Sequence, residues 1–471
     1  MNRRGAAEGN AGRTRSAIAP DTGRNAGRGV EGVASAASSC GDTTGPGQGL
    51  IERMIARENL NLAWKKVRAN KGAPGVDGLD IEATQDVLRK DWPRIEAQLL
   101  AGTYRPAPVR RVEIPKASGG TRKLGVPTVM DRFIQQALLQ VLAALFEPHF
   151  SAHSYGFRPG RSAHQAVLAA REYQRQGKRW VVDLDLASFF EEVDHDLLIA
   201  RVKRRVKDVR VIQLVRAYLN AGVMLGGLVQ PTDKGTPQGG PLSPLLSNIL
   251  LDDLDGELEQ RGHAFCRYAD DCNVYVGSRR SGTRVMAALI GYLEGTLKLK
   301  VNRAKSAVDR PVNRVFLGYS FTSQKAAKIR VPQKTCRKMR EKLKELFGKG
   351  RGRNVGRLIR EALNPLLRGW MNYFRLSETK GFAEELDGWV RRHLRAILWR
   401  QWKKPGTRYR RLRALGLEEY RARASAGNGH GAWFNSGASH LHAALPAKAF
   451  ATMGLISLLE TLQTAQARRS V

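Results

Sequence analysis

The sequence predicts an α+β fold made of two stretches of different texture. Up to about residue 321, runs with the period-2 alternation of strands stand between longer runs with helical spacing; beyond it, amphipathic helical runs dense in Lys and Arg take over. The third observation is charge: 79 Lys and Arg against 43 Asp and Glu give the 471 residues a net charge of +36. Self-repulsion on that scale is a liability without a polyanionic partner, which implies nucleic acid before any motif is read. Charge alone names no activity, because a purely structural RNA-binding protein carries the same imbalance. The cysteines, Cys40, Cys266, Cys272 and Cys336, form no Cys-x-x-Cys pair, which disfavours a disulfide framework or a zinc site and fits a reducing compartment.

Residues 1–48 are rich in Gly, Ala and Arg with little periodicity, and they predict a flexible basic arm. Glu8, Asp21, Glu31 and Asp42 argue against an organellar transit peptide, so a cytoplasmic protein is expected and organellar import is the weaker alternative. A helix follows with Ile51, Ile55, Leu62 and Val67 on one face, ended by Gly72, Pro74 and Gly75. Residues 108–127 predict two strands around Ser118-Gly119-Gly120, a ribbon bearing Arg110, Arg111, Lys116, Arg122 and Lys123. Cations arrayed over a cleft can hold a triphosphate; for Arg110 and Arg111 a solvated hairpin is the preferred reading. A helix over 128–147 comes next. Its apolar patch at 137–146, interrupted by Gln140, reads as core rather than membrane span, and no membrane partner is expected. "SYGFRPGRSAHQAV" (154–167) then mixes aromatics, glycines and the cations Arg158 and Arg161.

The strand in "RWVVDLDLASFFEEVDHDLL" (179–198) points Val182, Leu184 and Leu186 one way and Asp183 and Asp185 the other. Two acids on one face of a strand, followed by Phe189 and Phe190, are poorly explained as a solvated edge. "KGTPQGGPLSPLLSNILLDDL" (234–254) predicts a Gly/Pro loop leading into a helix; Gly239 and Gly240 would let backbone approach a bulky ligand, with Gln238 facing it. "RYADDCNVYV" (267–276) sets Asp270 and Asp271 between two β-prone runs, at the tip of a hairpin. As a lone motif this is an ordinary turn; with the acidic strand face it becomes a clamp in which a divalent cation offsets carboxylate repulsion.

After a helix at 281–298, Lys305 precedes a strand at 314–321. Helices follow with Ile359, Leu363, Leu366, Trp370 and Phe374 on one apolar face, and Trp389, His393, Ile397 and Leu398 on another; these aromatics read as core rather than base-stacking platforms. Ten Lys or Arg and no acid fall between Arg391 and Arg413, which suits a phosphate-tracking surface. His440 and His442, two apart in the tail, have no Cys or acid beside them to complete a metal site. Lys338, Arg391, Arg392, Arg395, Arg410 and Arg411, with Arg158 and Arg161, are the candidate nucleic-acid contacts.

Six blocks in order now support a resemblance: "IPKASGGTRKLGVPTVMDR" (114–132), "YGFRPGRSAHQAV" (155–167), "DLDLASFFEEVDHD" (183–196), "GTPQGGPLSPLLSN" (235–248), "YADD" (268–271) and "FLGYSF" (316–321). Over residues 50–460 the chain resembles a reverse transcriptase and maturase encoded by a bacterial group II intron. The resemblance implies a right-hand polymerase, with fingers and palm over 49–321, an α-helical thumb or maturase (X) domain over 322–400, and a small basic C-terminal DNA-binding region over 401–471. It implies two Mg²⁺ ions as cofactors, with Asp185, Asp270 and Asp271 as metal-binding catalytic acids and Leu186 beside Asp185 in the metal set. Asp183 does not match a family acid and is assigned to support. Lys116 and Arg122 would hold the incoming triphosphate, Phe190 would lie beneath the sugar and disfavour a ribose 2′-OH, and Gln238 would pack on the nucleotide. Lys305, near the fourth palm motif, completes the nucleotide set. The implied partners are the host intron RNA, an RNA template with a DNA primer, target DNA and dNTPs; oligomeric state is not read from the sequence.

The family's Phe-Phe-Asp is Phe-Phe-Glu here, ending at Glu191, which leaves the metal acid untouched. With no Cys after Cys336, the Cys-rich His-Asn-His endonuclease of many relatives is expected to be absent. Primers would then come from existing 3′ ends, such as those at replication forks. A splicing maturase without polymerisation, and a reverse transcriptase of another class (retron or defence), are the alternatives.

Overall fold

The computed structural model describes residues 47–115, 121–225, 228–230, 234–235, 239–350 and 352–470. Its strands are β1 (Val109–Pro115), β2 (Thr121–Val126), β3 (Trp180–Leu184), β4 (Val223–Leu225), β5 (Leu228–Gln230), β6 (Ala264–Tyr268), β7 (Asp271–Val276), β8 (Ala307–Asp309), β9 (Ser320–Phe321) and β10 (Ile329–Arg330). They form sheets in the orders β2-β1-β4-β5, β6-β7-β3-β8 and β10-β9. The expected hairpin over 108–127 is present, with Arg110 opposite Val126 and Pro115 opposite Thr121.

The β6-β7-β3-β8 sheet positions the site. It is antiparallel throughout, with β3 central: Leu184 faces Cys272 on β7, and Asp183 faces Ala307 on β8. Side chains alternate across a strand, so each strand feeds two cores. Val182, Leu184, Phe265, Cys272, Val274 and Val276 pack into one core with helices Val129–Phe146, Ser243–Gln260 and Arg279–Gly295. Val181, Cys266 and Tyr275, from the opposite face, join a second core that continues into the helical half of the chain. Full burial of each of these larger apolar side chains contributes about 1.5–3 kcal/mol. Helix Val129–His149 is long and apolar enough to cross a bilayer, yet 61% of its apolar window is buried, as a core helix requires.

The second core holds Met339, Leu343 and Phe347 together with Leu363, Leu367, Leu386, Val390 and Leu394. Leu412, Leu441, Phe450, Leu458 and Leu462 belong to it as well, so the segments on both sides of residue 400 share one core. Asp387 ties the last helix, Leu458–Ser470, to helix Gly381–Gln401. Its carboxylate accepts from the backbone N–H groups of Leu458 (3.0 Å) and Leu459 (3.2 Å) and from the Ser457 hydroxyl (2.9 Å).

Two helices differ from the sequence expectation. The first is broken at Ala56, whose ψ of 136° separates Leu50–Ile55 from Arg57–Asn70. The break rotates the second piece so that Ala63 is buried and Leu62 is 48% exposed. The second difference is a π-turn at Ile359–Leu363, between Val355–Leu358 and Asn364–Phe374. The wider turn shifts the apolar face by one residue, and Leu367 and Met371 occupy the core in place of Leu366 and Trp370.

Replacing Asp387 by Ala leaves donors at the start of the last helix uncapped, an expected loss of about 1–2 kcal/mol. Thermal melting should fall by a few degrees, with faster hydrogen exchange confined to Leu458–Ser470; unchanged exchange there would refute the capping role.

Candidate active site

Tyr268 pairs with Asp271 across the β6–β7 hairpin, leaving Ala269 and Asp270 as a two-residue turn. Such turns require positive φ, and Ala269 adopts +57°, which costs a residue with a Cβ about 1–2 kcal/mol. Two neighbours hold it there. The buried guanidinium of Arg267 donates to the Ala269 carbonyl (3.0 Å), to Asn248 Oδ1 (2.9 Å) and, in a fork, to Asp255 Oδ1 (2.7 Å) and Oδ2 (2.5 Å). Gly156 lies against the turn so closely that a Cβ there would stand 2.3 Å from the Ala269 nitrogen.

The acids gather on one face. The register that puts Leu184 opposite Cys272 brings Asp185, one residue on, toward Asp271, with Asp183 on the same face. Burial pushes the Asp271 carboxyl up to about 8, assisted by the charges of Asp183, Asp270 and Asp185 and opposed by Arg314. Asp183 is raised too, by burial, with Arg314 pulling the other way. Arg314 donates to Asp183 Oδ2 (2.7 Å from Nε) and to the Lys305 carbonyl (2.7 Å). Lys305 Nζ lies 3.5 Å from Asp185 Oδ2. The Asp185 backbone is held by the Ser306 hydroxyl (3.0 Å to its N–H) and by the Asn302 N–H (2.8 Å to its carbonyl).

Among the described residues, no three His, Cys, Asp or Glu side chains already stand as a metal-ready group. The donor chemistry nevertheless fits a hard divalent cation: the set is oxygen-only, and its self-repulsion is what a cation relieves. Leu186 turns away with Val182 and Leu184 and packs on the first core, so its backbone alone can face the acids.

Phe190 is half-buried with its ring edge-on to Phe189, centroids 5.1 Å apart. Gly235 (φ +93°) lies against it, and a Cβ there would stand 2.8 Å from the Phe190 carbonyl oxygen. Lys116 and Gln238 lie outside the described residues, as does the Arg122 side chain; the Arg122 backbone pairs with Ile114 on β1. Gly239 is exposed and Gly240 buried, and both have a packing reason to lack a side chain. A Cβ on Gly239 would meet the Gly125 carbonyl of β2 at 2.4 Å, and one on Gly240 the Gln135 amide at 2.4 Å, so both glycines serve packing inside the chain.

The cation set requires two corrections. Arg158 is buried, its Nε 3.0 Å from Glu147 Oε1 and its Nη1 on the carbonyls of Ser151 and Ser154, so it closes a loop and offers nothing to RNA. Arg395 is buried as well, donating to the Leu445 carbonyl (3.0 Å) and lying over the Phe450 ring. Lys338, Arg410 and Arg411 are exposed, while Arg161, Arg391 and Arg392 are half-exposed, with Arg392 4.3 Å over the Trp433 ring. Sequence reasoning passed over Arg314 and Arg267. The signal for Arg267 was a charged residue in the middle of the apolar run "AFCRYA".

Residues 114–321 match the family described as reverse transcriptase (RNA-dependent DNA polymerase), and residues 336–416 match the group II intron maturase-specific domain. Protein YkfC of Escherichia coli K12 is 34% identical over 352 residues, covering 64% of this chain and 92% of that one. Group II intron-encoded protein LtrA of Lactococcus lactis subsp. cremoris is 39% identical over 207 residues, covering 44% of this chain and 34% of that one. Among solved structures, a partial Cas6-RT-Cas1–Cas2 complex aligns with 52% of this chain and 42% of that one, at 24% identity and a TM-score of 0.34.

Arg267→Met strands the buried Asp255 carboxylate, an expected loss of about 3–5 kcal/mol read from denaturant unfolding. A loss under 1 kcal/mol would show that the pair does not hold the turn. For Asp271, a carboxyl raised in the folded chain destabilises it increasingly as pH climbs from the unfolded value near 3.8 to about 8. Asp271→Asn removes that penalty, so without divalent cations it should melt above wild type by a margin that is larger at pH 8 than at pH 5. A margin independent of pH would refute the assignment.

Proposed function

From the premise that this chain belongs to the reverse transcriptase family, with a group II intron maturase domain behind the polymerase part, we propose that it copies RNA into DNA using two Mg²⁺ ions. We also propose that it binds its host intron RNA to promote splicing and, by reverse transcription at a DNA target, supports intron mobility. The observation that carries the reading is the convergence of Asp185, Asp270 and Asp271 at one end of an antiparallel sheet, in a chain of net charge +36.

Asp185, Asp270 and Asp271 would hold the ions, with the Leu186 backbone beside them. When bound, the two ions stabilise the attacking and leaving oxygens of an in-line displacement at phosphorus. The chain's own residues do the rest. Arg267 and Gly156 fix the turn that carries two of the acids, which keeps them aligned without help from substrate. Arg314 keeps Asp183 neutralised and out of the ligand set. Lys305, more exposed than Asp185, can leave it when a stronger cation arrives. Phe190, its ring edge-on to Phe189 and its backbone against Gly235, would lie beneath the incoming sugar and disfavour a ribose 2′-OH. Lys116, Arg122 and Gln238 keep the triphosphate and nucleotide roles that the family resemblance implies. The exposed Lys338, Arg410 and Arg411 suit RNA or DNA phosphates on the helical half.

The test is extension of a DNA primer on an RNA template with Mg²⁺ and dNTPs. Wild type should extend, and Asp270→Ala/Asp271→Ala should be slower by roughly 10³-fold or more while still binding RNA. Tight RNA binding with no extension by either protein would leave a splicing maturase and remove the polymerase.

A further inference from the structure

Phe157 and Arg158 stand in inverted places. The arginine is 7% exposed and the phenylalanine 58% exposed, the opposite of what their side chains favour in water. The inversion is made by the backbone: Phe157 has φ +56°, a left-handed conformation that glycine adopts freely and a residue with a Cβ does not. Segment 153–157 is also firmly placed. Ser154 bridges Arg267 in parallel, Tyr155 N–H donates to the Arg267 carbonyl (2.8 Å), and Arg267 N–H donates to the His153 carbonyl (2.9 Å). Asn248 Nδ2 donates to the Gly156 carbonyl at 2.9 Å. A single parallel bridge at Ser154 pins the segment to the edge of β6, and the left-handed φ of Phe157 falls in the turn just beyond it, where the ring emerges. Strained residues held by an over-determined surrounding cluster at ligand sites.

The ring emerges beside Tyr268, with centroids 5.9 Å apart. Tyr268 is paired with Asp271, so the tyrosine stands between the acid and the phenylalanine ring. We propose that Phe157, with Tyr268, forms an apolar ledge for the primer–template duplex, bearing on the first base pairs behind the growing 3′ end. This rests on the polymerase reading, because only a 3′ end placed at the acids sets a duplex over the ledge. Contact with the sugars that line the duplex serves that duty for every sequence, because such contacts position the duplex without reading its bases.

Phe157→Gly separates ledge from packing, because it removes the ring and relieves the positive φ together. The variant should melt at or above the wild-type temperature while binding an RNA–DNA primer–template several-fold more weakly. Phe157→Tyr should restore the affinity. With hybrids lengthened one base pair at a time behind the 3′ end, wild type should gain affinity over the first few pairs and Phe157→Gly should not. A wild type that extends primers while Phe157→Gly binds hybrids equally well overturns the ledge alone. So does a lower melting temperature with no loss of affinity, which would make the ring simple packing. A wild type that binds hybrid and single-stranded RNA alike and never extends overturns the ledge and the polymerase reading together.

Discussion

The ion pair between Arg267 and Asp255 lies where charges are least at home, with both side chains at or below 1% exposure. Taking each ion out of water costs several kcal/mol, and the forked geometry recovers that only because the remaining N–H groups find Asn248 and the Ala269 carbonyl. A leucine pair would fill the same space with less electrostatic risk. What it could not do is reach from helix Ser243–Gln260 through β6 to the backbone of the turn. Asn248 carries the connection one step further, to Gly156, so helix, hairpin and the 153–157 segment share one hydrogen-bonded knot. The unfavourable φ of Ala269 persists because this knot leaves it no alternative.

From the knot outward, the sheet converts a local rule into a site. Period-2 alternation sends Val182, Leu184, Val274 and Val276 into one core and Val181 and Tyr275 into another. On that second face the residues change from apolar to acidic within one strand length: Val181, then Asp183, then Asp185 beyond the end of β3. The apolar end anchors the sheet to the helical half, and the acidic end carries the carboxylates, with Asp183 and Asp271 partly buried. Structure and chemistry thus occupy the same face, separated by about 7 Å per pair of residues along a strand.

This division also decides what could be read from sequence. The hairpin tip, the two faces of β3 and the 108–127 ribbon depend on near neighbours in the chain, and their alternation shows them. The strained and inverted positions depend on distant partners. Arg158 is buried because Glu147 and the Ser151 carbonyl wait for it, and Arg395 because the Leu445 carbonyl does. Both look like surface cations in a strongly basic chain. Gly239 and Gly240 are small for the sake of Gly125 and Gln135, partners more than a hundred residues away. The π-turn at Ile359–Leu363 is similarly silent, since one extra residue per turn leaves the apolar count unchanged and only moves which members face inward.

Exposure then sorts the two acids of β3 and its extension. Arg314 places two N–H groups on Asp183, at side-chain exposures of 28% and 15%, which makes a fixed pair. Lys305 and Asp185 meet at 3.5 Å with 69% and 43% exposed, a contact that water and salt screen to about 0–1 kcal/mol. One carboxylate is therefore permanently answered by the protein, and its neighbour two residues on is answered only until something stronger competes. Because side chains two apart share a face, Asp183 and Asp185 would otherwise be equal claimants for a cation. The difference between a half-covered arginine and a solvated lysine leaves Asp185 the freer of the two to take a cation, as the proposed two-metal reading requires, with Asp183 in support.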